Sequence, residues 1–324
     1  MAKRPFPVDP TLTAISIGYR NPAHTLIGRR ALPPLQVLAE SFKWQKFSLN
    51  EGFDVPDAKV GRLGQVNQVT FSGGEEDSSV EDYGLDSPVP HSDVKAAAQA
   101  RAEKRSTFDP EQRAVEGLTN YIEINREKRA AAVVQNSANF AAARKTALAG
   151  TAQFSDYANS DPFGVISTGF EKTLVYRPNT ISMGQVVWSV LRRHPKLLKA
   201  VKGGLTDEGG ITRQQFAELF EISPDRLLIG EAWLNVAKPG QAVNLARIWG
   251  NSIQLTYLDE SKGDSKDGQL TWGFTAEYGN RVSGAIDDPD IGLEGGRRVR
   301  VGERVRELVC ALDVGYQIAD PVGD

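Results

Sequence analysis

The sequence is poor in sulfur and histidine: one cysteine, Cys310, two methionines and three histidines in 324 residues. A lone cysteine excludes an internal disulfide and fits a reducing compartment, and with three histidines the Cys/His patterns of structural zinc are out of reach. No uncharged apolar run approaches the roughly 18 residues that a spanning helix needs. The start MAKRPFPVDP carries positive charge but no apolar stretch behind it, so neither export nor membrane insertion is expected. A Gly-rich loop ending in Gly-Lys-Ser/Thr is missing, as are GxGxxG and GxSxG, which removes the usual signatures of nucleotide binding and serine hydrolysis. An excess of one charge is missing too: 38 Lys+Arg stand against 41 Asp+Glu, a net charge of -3, which excludes a strongly basic nucleic-acid clamp.

What is present describes a folded, soluble protein. Hydrophobic residues make up 40% and charged residues 24%, enough to bury a core. The length allows two compact units, or one elongated unit with extensions. Residues 1–40 carry Lys3, Arg4, Arg20, Arg29 and Arg30, and their prolines prevent long regular elements, so they read as an extended basic arm. Residues 41–75 read as a two-stranded ribbon, from Phe42, Trp44, Phe47 and Leu49 to a strand-like Gln65 to Phe71. Such a ribbon is marginal alone and needs a surface to lie on. From Glu75 to Asp93 there are seven acids and no Lys or Arg, read first as a solvated connector, with complementarity to a basic surface such as the arm as the alternative.

Asp109-Pro110-Glu111-Gln112 is the strongest helix start in the chain. Helical spacing then runs through Val115, Leu118 and Ile122, fades at Asn125, Arg126 and Arg129, and resumes at Val133, Phe140 and Leu148. This predicts a helix over 110–148, about 58 Å long, packed under a sheet. Residues 160–260 read as a separate α/β unit: a helix after Pro178, another after Pro195, a Thr212/Gln215 capping box, and strands over Arg226 to Gly230 and Ser252 to Tyr257. The tail returns to strand over 271–278 and 297–316.

No catalytic constellation emerges. His24, His91 and His194 lie apart, and His194 reads as a helix-terminal residue whose positive charge would complement the dipole. Asp259, Glu260, Asp264 and Asp267, and the run Asp287-Asp288-Pro289-Asp290, supply oxygens but fail the spacing of a calcium loop, and read as solvated tips. An enzyme using carboxylates or a metal in the 259–290 region is the reading from a different class. Cys310 reads as a small side chain in an apolar strand, and the dispersed tryptophans Trp44, Trp188, Trp233, Trp249 and Trp272 as packing residues.

The order of segments resembles the major capsid proteins of tailed bacteriophages, with the Hong-Kong-97-type shell fold. The resemblance covers nearly the whole chain. It rests on Val80-Glu81-Asp82-Tyr83-Gly84-Leu85 with Val89-Pro90; Arg126-Glu127 with Asn139-Phe140; Arg177-Pro178-Asn179-Thr180, Met183, Leu191, His194-Pro195, Ile211-Thr212 and Phe220; Leu228 to Ala232; Trp249-Gly250; and Trp272-Gly273-Phe274.

The resemblance implies an α+β fold: N-terminal arm 1–40, extended β-hairpin loop 41–75, a peripheral domain of 76–159 and 269–324 with a spine helix 110–148, and an inserted axial α/β domain 160–268. It implies a structural protein rather than an enzyme, without cofactors, that self-assembles as pentamers and hexamers into an icosahedral shell around double-stranded DNA. Expected partners are copies of itself, a separate scaffolding protein, a portal, a decoration protein, and DNA held non-specifically; no membrane is involved. The expected location is the virion, assembled in the host cytoplasm. The alternative is an encapsulin-like nanocompartment shell around protein cargo. Arg29 and Arg30 of the arm and Trp44 and Phe47 of the loop are the expected inter-subunit contacts.

Overall fold

Two five-stranded sheets, joined by a shared apolar junction, organise the chain in the computed structural model, which describes residues 25–47, 53–62, 64–69, 73–104, 108–204, 208–238, 240–259 and 271–323. In chain order the elements are α1 (Gly28–Ala31), β1 (Pro34–Val37), β2 (Ser41–Phe47), β3 (Gly73–Ser79), β4 (Glu81–Pro90), α2 (His91–Ala102), α3 (Pro110–Val134) and β5 (Lys145–Ala147). Then come α4 (Pro162–Lys172), β6 (Thr180–Gly184), α5 (Gln185–Leu191), α6 (Pro195–Lys202), α7 (Arg213–Leu219), β7 (Leu227–Gly230), β8 (Trp233–Asn235) and β9 (Leu245–Arg247). The last are β10 (Ser252–Thr256), β11 (Gly273–Tyr278), β12 (Val282–Asp288), β13 (Gly296–Val309) and β14 (Gly315–Ala319).

The first sheet is built around β13. Its start pairs antiparallel with β12 and its end with β11, while β4 runs along the opposite edge; β1 extends the sheet beside β11. The period-2 pattern of β13 sends Val299, Val301, Glu303, Val305 and Glu307 to a buried face and Arg298, Arg300 and Arg304 to an exposed one. Helix α3 lies on the buried face, and Val115, Leu118 and Ile122 of its first half pack with Val89, Ala285, Val299 and Val301. Each such aliphatic side chain contributes about 1.5–3 kcal/mol by leaving water.

The start of α3 follows the sequence: Pro110 is at the first turn and the Asp109 carboxylate accepts from the Glu111 and Gln112 amides. Its end does not. The helix stops at Val134 rather than continuing to residue 148, and is about 37 Å long. Asn136 turns extended (φ -72°, ψ 118°) and its side chain accepts from Ala138 N, starting a tight turn over Ser137–Asn139. Asn139 then donates to the Val133 carbonyl, satisfying a group that the ending helix leaves open. The apolar spacing beyond Val134 belongs to other structure, with Phe140 stacked on Trp272 at 5.1 Å.

The second sheet has the order β5-β14-β10-β6-β7. The expected lobe 160–268 is therefore joined in its sheet by β5 and β14 from outside those limits. A further difference arises here: Thr180–Gly184 is a fully buried strand before the helix expected there, and Pro162–Lys172 precedes it as α4. Helices α4 to α7 cover this sheet around Phe154, Ile166, Ile181, Met183, Trp188 and Phe216. The Thr212/Gln215 capping box is present with both hydrogen bonds.

His194 corrects the sequence expectation. It is fully buried and sits before α6 as its N-cap, where a positive charge would be opposed by the dipole rather than favoured. Nδ1 accepts from Lys196 N at 3.2 Å, so Nε2 carries the proton and donates to Ser160 Oγ at 3.0 Å. Burial, followed by the nearby Lys196 charge, pushes the His194 pKa down to about 4 from 6.5. A depressed histidine pKa adds stability that is present above the unfolded value and is lost as pH falls toward the folded one. The subunit is expected to lose about 2–3 kcal/mol between pH 6.5 and 4 from this group. Urea unfolding across that window checks it: His194→Gln should flatten the slope, and an unchanged slope would assign the titration elsewhere.

Candidate interaction surfaces

The junction between the sheets is organised by one carboxylate. Glu127, on the second half of α3, is 3% exposed. Its Oε1 accepts from Ile27 N at 2.8 Å and Trp249 Nε1 at 2.6 Å, and its Oε2 from Gly28 N at 2.7 Å. Burial raises its pKa, opposed by the three donated hydrogen bonds. Two glycines make room: a Cβ on Gly28 would lie 2.7 Å from Glu127 Oε2, and one on Gly230 would lie 2.2 Å from the Trp249 ring. Ile27, Leu32, Ala131, Phe140, Leu228, Trp249 and Trp272 fill the surrounding core. The short motifs Arg126-Glu127, Asn139-Phe140, Trp249-Gly250 and Trp272-Gly273 thus converge on this junction.

The polar interruption in α3 is a buried ion network. Arg126 meets Glu277 at 2.5 Å and Glu303 at 3.5 Å, while Arg129 meets Glu303 and Glu307, each at 3.1 Å, and lies 3.7 Å over the Tyr83 ring. Arg281 bridges Glu123 at 2.6 Å and Glu303 at 2.9 Å. Burial disfavours the charged form of Glu123, but Arg281 and Arg29 more than offset it and its pKa is lowered.

The acidic run is not a solvated connector. Glu75 to Ser79 lies in β3 and Glu81 to Pro90 in β4, and these acids face cations: Asp86 lies 2.6 Å from Arg300, Asp82 is 3.3 Å from Arg304, and Glu81 pairs with Arg306. The exposed arginines of β13 are thus matched across the register β4–β13. Likewise Asp287 faces Arg297 at 3.4 Å and Asp288 pairs with Arg298. Among the described residues, no group of three His, Cys, Asp or Glu side chains is placed to hold a metal ion. Asp264 and Asp267 lie outside the described residues.

Two strand pairs stand apart from both sheets. In the first, β2 pairs antiparallel with β3, from Ser41↔Ser79 to Phe47↔Gly73. The return strand is thus the acidic segment Gly73–Ser79; residues 65–69 are not strand, and 70–71 lie outside the described residues. Between the two strands, Phe53, Val55, Val66 and Val69 are more than half exposed. In the second, β8 pairs with β9, and Trp233, Val236, Val243 and Leu245 are likewise open. Arg247 holds the outer face of this hairpin, its guanidinium 4.1 Å over the Trp233 ring. Isolated strand pairs gain little from their own burial, and apolar groups left open in this way mark surfaces that another molecule covers.

The four expected contact residues do not form one cluster. Trp44 lies in β2, half-buried, its ring 6.0 Å from Phe42 and its indole N–H without a partner. The Phe47 side chain lies outside the described residues, as do residues 1–24 of the arm. Arg29 is held within its own chain by Glu123 at 3.1 Å and Glu277 at 3.4 Å, and Arg30 donates to the Asp225 carbonyl. Sequence reasoning missed Glu127 and the hairpin of Trp233 and Leu245. The turn residues Lys238-Pro239-Gly240 between two apolar-containing stretches were the available signal for the hairpin.

No family model matches the chain. It is 43% identical over 316 residues to the major capsid protein of Pseudomonas phage JBD67, covering 98% of this chain and 97% of that protein. It is 30% identical over 320 residues to the major capsid protein of Burkholderia phage BcepMu, covering 96% of each. The crystal structure of a phage-related protein from Bordetella bronchiseptica RB50 matches with a TM-score of 0.73 at 22% identity, over 98% of this chain and 99% of that one. The chain belongs to the major capsid proteins of tailed bacteriophages and has the Hong-Kong-97-type shell fold.

The Glu127 junction yields a direct expectation. Glu127→Ala leaves three buried donors without their acceptor and is expected to cost about 3 kcal/mol or more of subunit stability. Chemical denaturation of the purified subunit measures it, and a loss below about 1 kcal/mol would show that the junction is held by apolar packing alone.

Proposed function

We propose that this chain is the structural unit of an icosahedral head that closes through pentamers and hexamers around viral double-stranded DNA, and that it performs no catalysis. The observation that carries the reading is the pair of strand ribbons outside both sheets, with apolar side chains open to solvent. Head-to-tail contacts that close into rings give such surfaces their cover without any second kind of subunit.

In this reading residues 1–40 are the arm, of which Ile27 to Val37 is packed on its own subunit through α1 and β1 rather than extended; 41–75 are the extended loop on a neighbouring subunit, 76–159 with 269–324 the peripheral domain, and 160–268 the axial domain that meets its copies at ring centres. Trp44 and Phe47 serve the loop contact. Arg29 and Arg30 fix the described part of the arm to its own subunit through Glu123, Glu277 and the Asp225 carbonyl. A scaffolding protein, a portal and a decoration protein complete the assembly in the host cytoplasm.

Negative-stain electron microscopy of the protein expressed alone and with its neighbouring genes tests the reading. Closed shells, tubes or rings of five and six are expected, with nucleic acid rather than an enzyme cargo in filled particles. A uniform small particle under both conditions would contradict it. Trp44→Ala is expected to abolish or sharply reduce shell formation while the subunit keeps its melting temperature; a drop of several degrees with normal shells would place Trp44 in the subunit's own core.

A further inference from the structure

A stretch of the second lobe is unlike the rest of the charge distribution. From Lys172 to Thr206 the sequence contains no Asp or Glu, although the chain as a whole has more acids than bases. Within it Arg192, Arg193, Lys196, Lys199 and Lys202 fall at the end of α5 and along α6. Helix α6 turns Leu197 and Leu198 into the core, and Arg192, Arg193 and Lys199 are exposed.

Many arginines of the described fold have carboxylate partners, while Arg30 and Arg247 donate to carbonyl oxygens. Every arginine of β13 is matched with an acid, as is Arg213 by Glu231, and within the stretch itself Arg177 pairs with Glu221. At the end of α5 and along α6, Arg193 donates to the Ser189 carbonyl at 3.0 Å, Lys196 to the Ser160 carbonyl at 2.5 Å, and Lys202 to the Glu208 carbonyl at 3.4 Å. Among the described residues no carboxylate is in salt-bridge contact with Arg192, Arg193 or Lys202. A helix C-terminus offers about half a negative charge, too little to balance both Arg192 and Arg193 at the end of α5.

We propose that the α5–α6 ridge is the surface that meets the phosphate backbone of double-stranded DNA, with Arg192, Arg193 and Lys202 as its principal contacts. The proposal rests on the shell reading above and assigns the enclosed polymer a contact point outside the arm. A row of cations without base-reading chemistry suits DNA held in any sequence, because it engages phosphates and releases their counterions. The binding is then salt-dependent and sequence-independent.

The test is fluorescence anisotropy of a short labelled DNA duplex with the unassembled full-length subunit, at salt concentrations between about 50 and 200 mM. Replacing Arg192, Arg193 and Lys202 together by Gln is expected to weaken binding roughly tenfold or more at the low end and to lower the salt slope by about 1 per residue replaced. Arg192→Lys with Arg193→Lys should keep the slope, which separates loss of charge from loss of shape. An unchanged slope in the Gln variant, or no binding by the unaltered protein at low salt, would overturn the proposal. Poly-L-glutamate bound as tightly as DNA, and lost in the same variant, would overturn it in favour of an acidic protein partner. Electron microscopy of the same preparations keeps the two readings apart: shells with unaltered DNA binding in the Gln variant refute the ridge alone, and no shells from the unaltered protein refute the assembly reading.

Discussion

The Glu127 carboxylate is the constraint on which the rest of the subunit depends. It ties together three parts of the chain at one point: the residues where the described chain begins, the long helix, and Trp249 before the central strand of the second sheet. A carboxyl group so deeply buried is costly unless its oxygens are satisfied, and here three donors satisfy them. Directional contacts of this kind set the angle between the helix-backed sheet and the second sheet more tightly than apolar packing, which tolerates sliding. Glycine at positions 28 and 230 belongs to the same arrangement, because a side chain at either would push the partners apart.

Around that junction charge is used in two different ways. Under α3 the network of Arg126, Arg129 and Arg281 with Glu123, Glu277, Glu303 and Glu307 is nearly closed to water, so it fixes register at some cost in desolvation. On the outer face of the sheet the β4–β13 pairs are exposed, worth little singly, but aligned along two strands they bind the base of the ribbon to the body. A subunit with a rigid body and strand pairs extending from it is suited to a shell in which the body keeps its shape and the extensions adapt to each neighbour.

Local signals in the sequence were legible and distant pairings were not. The Asp109-Pro110 start of α3 and the Thr212/Gln215 box depend on a few adjacent residues and appear where expected. The end of α3 was hidden because Val133, Phe140 and Leu148 keep helical spacing by coincidence, while an Asn136 side chain decides the stop. The acidic stretch 75–93 looked solvated because its arginines lie more than two hundred residues away on β13. Arg126 and Arg129 looked like a break in an amphipathic stripe for the same reason. Gln65 to Phe71 carried the alternation of a strand, yet the pairing with β2 falls on the acid-rich Gly73–Ser79, where Lys43 meets Glu75 at 3.0 Å. The family resemblance succeeded where periodicity failed because its motifs mark the junction: Glu127, Phe140, Trp249 and Trp272 are neighbours there.

The central claim is that the subunit body is complete by itself while the β2–β3 and β8–β9 strand pairs are completed by other copies. Amide hydrogen exchange on free subunits and on assembled shells measures this most directly. The account predicts that α3 and β13 are protected in both states and that the amides of the two strand pairs exchange fast in the free subunit and slowly in the shell. Equal protection of those strand pairs in both states would contradict it.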